Sequence, residues 1–189
     1  MRIGIAHHFG WAVAVTARAD NEVVDRRRIE LIEPGLPAAP IHHEGGPHLM
    51  HRHGEPLDDE ELAALVAKVR ASVVRTASAS LDKLANALPE PITSISLRAW
   101  PPDLPSDIAT LRVVPYEARA DSVMYRVVLA DCARERGWTV HLYDKDVEAQ
   151  AERVLGDRAD EVLYGPRKSL GPPWSKDHRM ALAATVLAT

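Results

Sequence analysis

The first thirty residues consist of short apolar runs separated by polar breaks, a pattern that predicts three strands. A bend at Gly10 separates the first two strands, and a polar turn over 19–21 leads into the third. In the third strand Ile29 and Leu31 alternate with charged residues, as expected for a strand with one buried face. The three predicted strands cover residues 2–6, 11–18 and 22–32.

The remainder of the chain alternates between helical apolar periodicity and short runs typical of strands. Asp58 or Asp59 is placed to cap a long helix, and Pro89 and Pro91 end it. A stretch rich in Gly and Pro precedes the last helix. The predicted elements after the third strand are a helix over 58–87, a strand over 92–98, a helical turn over 106–110, a helix over 117–136, a strand over 138–143, a helix over 146–155 and a helix over 175–187.

This order, β-β-β-α-β-α-β-α, predicts an α/β fold with a five-stranded mixed sheet. A hairpin of three strands is followed by two strands that are each entered through a helix, so helices should cover both faces. A chain of 189 residues is long enough for one domain with a sizeable core. We expect a single domain over 1–189, interrupted by a His-rich loop over 33–56.

Two parts of the chain resemble ribonuclease-H-like nucleases, and RuvC-type resolvases among them. Residues 2–16 read RIGIAHHFGWAVAVT, which is similar to the hairpin that opens these enzymes. Residues 176–188 read KDHRMALAATVLA, which is similar to their last helix, and VLGDRADEVLYGP is similar to the connector before it. The resemblance implies the ribonuclease-H-like fold, in which the second strand runs antiparallel to the rest.

The resemblance also implies three positions for metal-binding carboxylates, and two of them lack one. The first position is Ala6, the second falls near Arg98, and the third is Asp177. Two-metal hydrolysis needs several carboxylates to hold two cations about 4 Å apart. An arginine in that cluster would repel the cations. The resemblance therefore implies a degenerate nuclease-like site in a protein that acts by binding.

Charge and composition limit the classes of partner and the cellular location that we expect for this protein. The formal net charge of −4 at pH 7 does not favour nucleic acid, which the implied fold does not exclude. Cys132 is the only cysteine and cannot form an internal disulfide, and no apolar run is long enough to span a membrane. We expect a cytoplasmic protein, without a membrane partner, that forms a homodimer.

The first candidate site joins the end of the first strand to the start of the last helix. Its members are His7, His8, Asp177 and His178. Imidazoles with one carboxylate suit Zn or Mn, which favours a metal-dependent hydrolase or phosphodiesterase. The alternative is that the histidines only hydrogen-bond to the backbone or to Asp177. Adjacent strand residues point to opposite faces, which separates His7 from His8 unless the strand bends.

The second candidate site is the start of the last helix. Lys176, His178 and Arg179 crowd the positive end of its dipole, which favours a phosphate or carboxylate ligand. Together with Arg98 they predict a binder of a phosphorylated small molecule. The alternative is that Asp177 offsets the dipole and the cations point to solvent.

The third candidate site lies at the start of the helix over 117–136. Glu117 and Asp121 are four residues apart and share a face. We expect Glu117, Arg119 and Arg98 to meet in the cleft beside the last helix, as an ion-pair network in place of a metal. The alternative is that the two acids only favour the helix dipole. Across these sites the candidate catalytic groups are Asp177, His178 and Glu117.

The fourth candidate site is the histidine-rich part of the loop over 33–56. Its members are His42, His43, His48, His51 and His53. Such spacings bind Zn or Ni when the backbone folds around the ion, and Glu44 and Glu55 can add oxygen ligands. The alternative is a loop that binds metal only adventitiously.

Overall fold

A computed structural model describes residues 1–46 and 55–188, with a five-stranded mixed sheet at its centre. The strands are β1 (Arg2–His8), β2 (Trp11–Ala17), β3 (Val23–Glu30), β4 (Ser94–Arg98) and β5 (Thr139–Tyr143). Their order across the sheet is β3-β2-β1-β4-β5. Because β2 pairs antiparallel with β1 and β3, while β1, β4 and β5 pair in parallel, β2 runs against the other four strands. The predicted sheet is confirmed.

Helices cover both faces of this sheet, as predicted. They are α1 (Asp59–Asn86), α2 (Ile108–Leu111), α3 (Glu117–Glu135), α4 (Val147–Leu155), α5 (Pro166–Leu170) and α6 (Lys176–Val186). The apolar core on one face joins the sheet to α1 and α3, and the core on the other joins it to α4 and α6. Within the described residues, no helix has both the length and the apolar character that crossing a bilayer requires.

β1 is the central strand, and its alternation sorts the residues of the candidate sites onto two faces. Ile3 and Ile5 enter the core beneath α1 and α3, whereas Ala6 enters the core beneath α6. Because successive side chains point to opposite faces, His7 lies on the α3 face and His8 on the α6 face. The strand extends two residues beyond its predicted end, since His7 pairs with Ala12 and His8 with Trp11.

A close approach between backbones sets the distance from β1 to α6. A Cβ atom placed on Gly4 would lie 1.7 Å from the carbonyl oxygen of Ala181. No side chain larger than hydrogen fits at position 4. The approach holds the first turn of α6 over the end of β1.

The largest differences from the predicted elements lie in segments expected to be loop. A π-helical turn, Ile41–Gly45, lies inside the loop predicted over 33–56, and α5 lies inside the predicted Gly- and Pro-rich connector. Two more short turns, Gly156–Arg158 and Asp160–Tyr164, follow α4. Elements of three to five residues span too few positions to show a helical apolar period, so the sequence pattern does not reveal them.

Candidate functional site at the carboxyl edge of the sheet

One hydrogen bond joins the end of β1 to the start of α6. Nε2 of His8 lies 3.0 Å from Oδ2 of Asp177. Both side chains keep contact with solvent, with 41% and 30% of their surfaces exposed. Of the residues predicted for the first candidate site, the structure brings these two together.

Trp11 continues this arrangement on the neighbouring strand. The His8 ring stacks on the Trp11 ring, with centroids 4.1 Å apart and planes 12° apart. The Arg28 guanidinium lies 4.2 Å from the Trp11 centroid. Since His8 and Arg28 come from the strands on either side of β2, they cover the two faces of the Trp11 ring. Trp11 is therefore a packing residue here and offers no open face on which a base can stack.

His7 is separated from this pair, which corrects the predicted metal set of His7, His8 and Asp177. It lies on the α3 face, near the backbone of Ser122. Burial lowers the pKa of His7 to about 3, helped by the nearby charges of Arg126, His8 and Arg98. Within residues 1–46 and 55–188, no three His, Cys, Asp or Glu side chains lie close enough together to hold a metal ion.

His178 turns back onto the start of its own helix. Its Nδ1 accepts a hydrogen bond from the backbone N–H of Ser175 at 3.1 Å and lies 2.8 Å from Ser175 Oγ. Burial lowers the pKa of His178, and the charge of Arg26 adds to that effect. His178 therefore helps to cap α6 and does not join a metal set with Asp177, contrary to prediction.

The predicted cluster of cations at the start of α6 is also dispersed. Arg179 Nε donates to Glu148 Oε2 at 3.1 Å, and its guanidinium lies 5.1 Å from the centroid of the Tyr164 ring. Arg179 therefore points towards α4, which contains Glu148. Lys176 is exposed at the first position of α6. These residues and His178 do not converge on one anion site.

Glu117 and Asp121 contact the turn Ile41–Gly45 instead of the cleft beside α6, which corrects a second prediction. Asp121 accepts hydrogen bonds from the backbone N–H groups of Ile41 and His42, at 3.2 and 3.0 Å. Burial raises the pKa of Asp121 to about 7. Glu117 Oε1 lies 3.9 Å from His42 Nδ1, while exposed Arg119 donates to the carbonyl of Pro115. The two acids therefore hold the turn.

The histidine-rich segment is described only in part. The rings of His42 and His43 have centroids 5.4 Å apart. His48, His51 and His53 lie outside the described residues. Arg112, which the sequence analysis did not single out, donates to the carbonyls of both Gly45 and Leu57 and so joins the two ends of this segment.

Two guanidinium groups occupy the carboxyl edge of β4. Arg126 lies on the buried face of α3 and is 6% exposed. Its donors reach the carbonyls of Ala99 at 2.6 Å, Arg98 at 3.4 Å and Ser122 at 3.0 Å, and the hydroxyl of Ser122. Burial, together with the charge of Arg98, lowers the pKa of Arg126 to about 10. In the sequence, Arg126 follows the apolar Val123 by three residues, so both lie on one face of the helix. A single arginine on that apolar face was the signal that could have identified it.

Tyr143 links this arginine pair to the α6 side of the edge. Its hydroxyl donates to the carbonyl of Ile5 at 2.6 Å. The pKa of Tyr143 is raised to about 12, mainly by burial; the charges of Arg98 and Arg126 oppose the rise and that of Asp177 contributes to it. Because β1 and β4 run parallel, Arg98 at the end of β4 and Asp177, bonded to His8 at the end of β1, lie at the same edge of the sheet.

The start of α6 is positioned by Arg26 of β3. Its guanidinium donates to the carbonyls of Leu170 and Gly171, both at 2.9 Å, and to those of Pro172 and Pro173. Trp174, which follows, donates its indole N–H to the carbonyl of Leu163 at 2.8 Å. Arg26 therefore fixes the connector that leads to Asp177.

Arg26→Ala is expected to loosen this connector. Several charge-assisted hydrogen bonds are lost at once, so we expect a loss of about 1–2 kcal/mol in the free energy of unfolding and faster amide exchange over 170–178. Arg27→Ala is the matched control, because Asp25, at 2.7 Å, is the only partner of Arg27 among the described residues. Denaturant titration and hydrogen exchange measure both changes. Equal effects of the two variants would show that Arg26 does not position α6.

Among known proteins, the chain is similar to solved structures. No family model matches the chain, and no curated protein does. It is similar to the structure of Thermus thermophilus RuvC in complex with a Holliday junction substrate, at 15% identity and a TM-score of 0.47, covering 98% of this chain and 89% of that one. It is also similar to a second Thermus thermophilus RuvC structure, at 16% identity and a TM-score of 0.45, covering 98% and 90%.

The strand order and directions are those that the resemblance implied. The sheet therefore has the topology expected of a ribonuclease-H-like fold. On it, the first position implied for a carboxylate is Ala6, which is 3% exposed beneath α6. The second is Arg98, at the end of β4, and the third is Asp177, paired with His8. The carboxyl edge of this sheet thus carries one of the three implied carboxylates and two guanidinium groups.

Proposed function

We propose that this ribonuclease-H-like domain acts by binding a ligand at the carboxyl edge of its sheet, and does not catalyse two-metal hydrolysis. The observation that supports this most directly is the pair Arg98 and Arg126 at the end of β4. Two cations of charge +2 beside two guanidinium groups would be strongly repelled, and His8 and Asp177 supply two ligands between them. The predicted homodimer and cytoplasmic location stay predictions.

The competing function is a metal-dependent hydrolase or phosphodiesterase. It would need Asp177 as a ligand, so Asp177→Asn is the diagnostic variant. We expect wild-type protein and this variant, purified identically, to show the same background hydrolysis of duplex DNA, branched DNA, RNA and bis(p-nitrophenyl) phosphate with Mg²⁺ or Mn²⁺. Wild-type hydrolysis that requires Mn²⁺ and falls at least about tenfold in Asp177→Asn would overturn the proposed function.

A further inference from the structure

The charge of Arg126 is buried and has no anionic partner within residues 1–46 and 55–188. All of its hydrogen-bond acceptors are neutral: three backbone carbonyls and the Ser122 hydroxyl. No carboxylate pairs with it among the described residues. A buried charge without a counter-ion is costly, so this edge of the sheet is electrostatically unsatisfied.

Arg98 adds a second positive charge at the same edge. Its side chain is exposed and makes no hydrogen bond or ion pair within the part of the chain that the structure describes. Each arginine raises the electrostatic energy of the other, and the charge of Arg98 contributes, after burial, to the lowered pKa of Arg126. An anion would relieve both charges, and a guanidinium fork matches a phosphoryl group in geometry as well as charge.

A cavity of about 480 Å³ opens beside Arg98. Its other lining residues are Ala99, Tyr143, Asp144, Lys145 and Asp146. The volume suits a small molecule. Lys145 provides a further cation, whereas Asp144 and Asp146 can accept hydrogen bonds from hydroxyl or amino groups. The lining therefore fits a ligand with a phosphoryl group at one end and hydrogen-bond donors at the other.

The same features disfavour a polymeric nucleic acid. Two carboxylates on the cavity wall would repel the next phosphate of a strand. Trp11 has both ring faces covered, by His8 and Arg28, so it provides no stacking platform for bases. The chain as a whole carries a formal charge of −4.

We infer that the cavity beside Arg98 binds a small phosphorylated molecule that carries hydroxyl or amino groups. Arg98 contacts the phosphoryl group, Arg126 supplies positive charge from beneath the strand end, and Asp144 receives the donor groups of the ligand. This inference rests on the proposed binding function, because it assigns the positive charge at this edge to holding a ligand.

Two probes test the inference on the full chain, inorganic phosphate and ribose 5-phosphate. At constant ionic strength and neutral pH, we expect saturable NMR shifts at the amides of 98–99 and 143–146. Arg98→Ala should weaken binding at least tenfold, and Arg70→Ala, the control on an exposed part of α1 with the same charge change, should leave it unchanged. Ribose 5-phosphate should bind more tightly than phosphate, and Asp144→Asn should remove that gain.

Absence of saturable binding, or equal weakening by Arg98→Ala and Arg70→Ala, would overturn the inference. So would Arg98-dependent binding of a DNA duplex without Arg98-dependent binding of either phosphate probe. Neither outcome bears on hydrolysis, which the comparison of wild type with Asp177→Asn decides separately. The failure of the phosphate site and the failure of the proposed function are therefore distinguishable.

Discussion

Gly4→Ala is expected to destabilise the domain by about 3 kcal/mol or more, or to prevent folding. The new methyl group would lie 1.7 Å from the carbonyl oxygen of Ala181, so β1 and α6 would have to separate. The clash is with backbone, which means that shortening the Ala181 side chain to glycine should not rescue stability. Denaturant titration followed by circular dichroism measures the loss.

Ser96→Ala is the matched control for this substitution. Ser96 lies opposite Gly4 on β4, is 1% exposed, and its hydroxyl has no hydrogen-bond partner among the described residues. Its removal should be neutral or stabilising, because an unsatisfied buried polar group is lost. If Gly4→Ala unfolded with the same midpoint as Ser96→Ala, α6 would not be held against β1 as described. The pairing of His8 with Asp177 would then need another explanation.

His7 is expected to make the domain sensitive to acid. Its pKa falls from 6.5 to about 3 on folding, so between these pH values the unfolded chain binds one more proton than the folded chain. The stability that neutral His7 contributes is therefore present above about pH 6.5 and is lost as pH falls. The slope is at most about 1.4 kcal/mol per pH unit for one proton.

His7→Gln tests this by difference, since glutamine stays neutral at all pH values and keeps a polar side chain with an N–H donor. The free energy of unfolding of wild type, minus that of His7→Gln, should decrease as pH falls below about 6.5. Asp121 acts in the opposite direction, because its raised pKa gives stability at low pH that is lost as pH rises towards 7. Asp121 is present in both proteins, so its contribution cancels. A difference that is independent of pH would contradict the assigned environment of His7.

The fold was predictable because its long elements each carry a strong apolar period. α1 shows this at both ends, since Leu62 and Leu84 both enter the core, and Asp58 caps it as its position suggested. Alternation along β1 likewise predicted that His7 and His8 would point to opposite faces. These are local properties, and the sequence records them directly.

The site was less predictable because its contacts join residues that are distant in sequence. Asp121 accepts a hydrogen bond from a turn eighty residues earlier, and Arg179 donates one to Glu148 in another helix. From the sequence, each was instead related to the start of its own helix. Arg126 lies within an apolar helix face and is buried. An isolated charge in such a face indicates an unusual buried group, but it does not indicate which groups surround it. Periodicity along the sequence predicts which face of a helix or strand a residue occupies. Which residues surround it depends on how the elements pack together.

An anomalous-difference map from crystals soaked in Mn²⁺ tests the central claim most directly, because it reports whether the carboxyl edge of β1 and β4 accepts a divalent cation. We expect no Mn²⁺ peak beside Asp177, His8 or Arg98, since two guanidinium charges occupy that edge. A Mn²⁺ ion bound to Asp177 with ligands from the end of β1 would contradict this account and would favour a metal-dependent hydrolase.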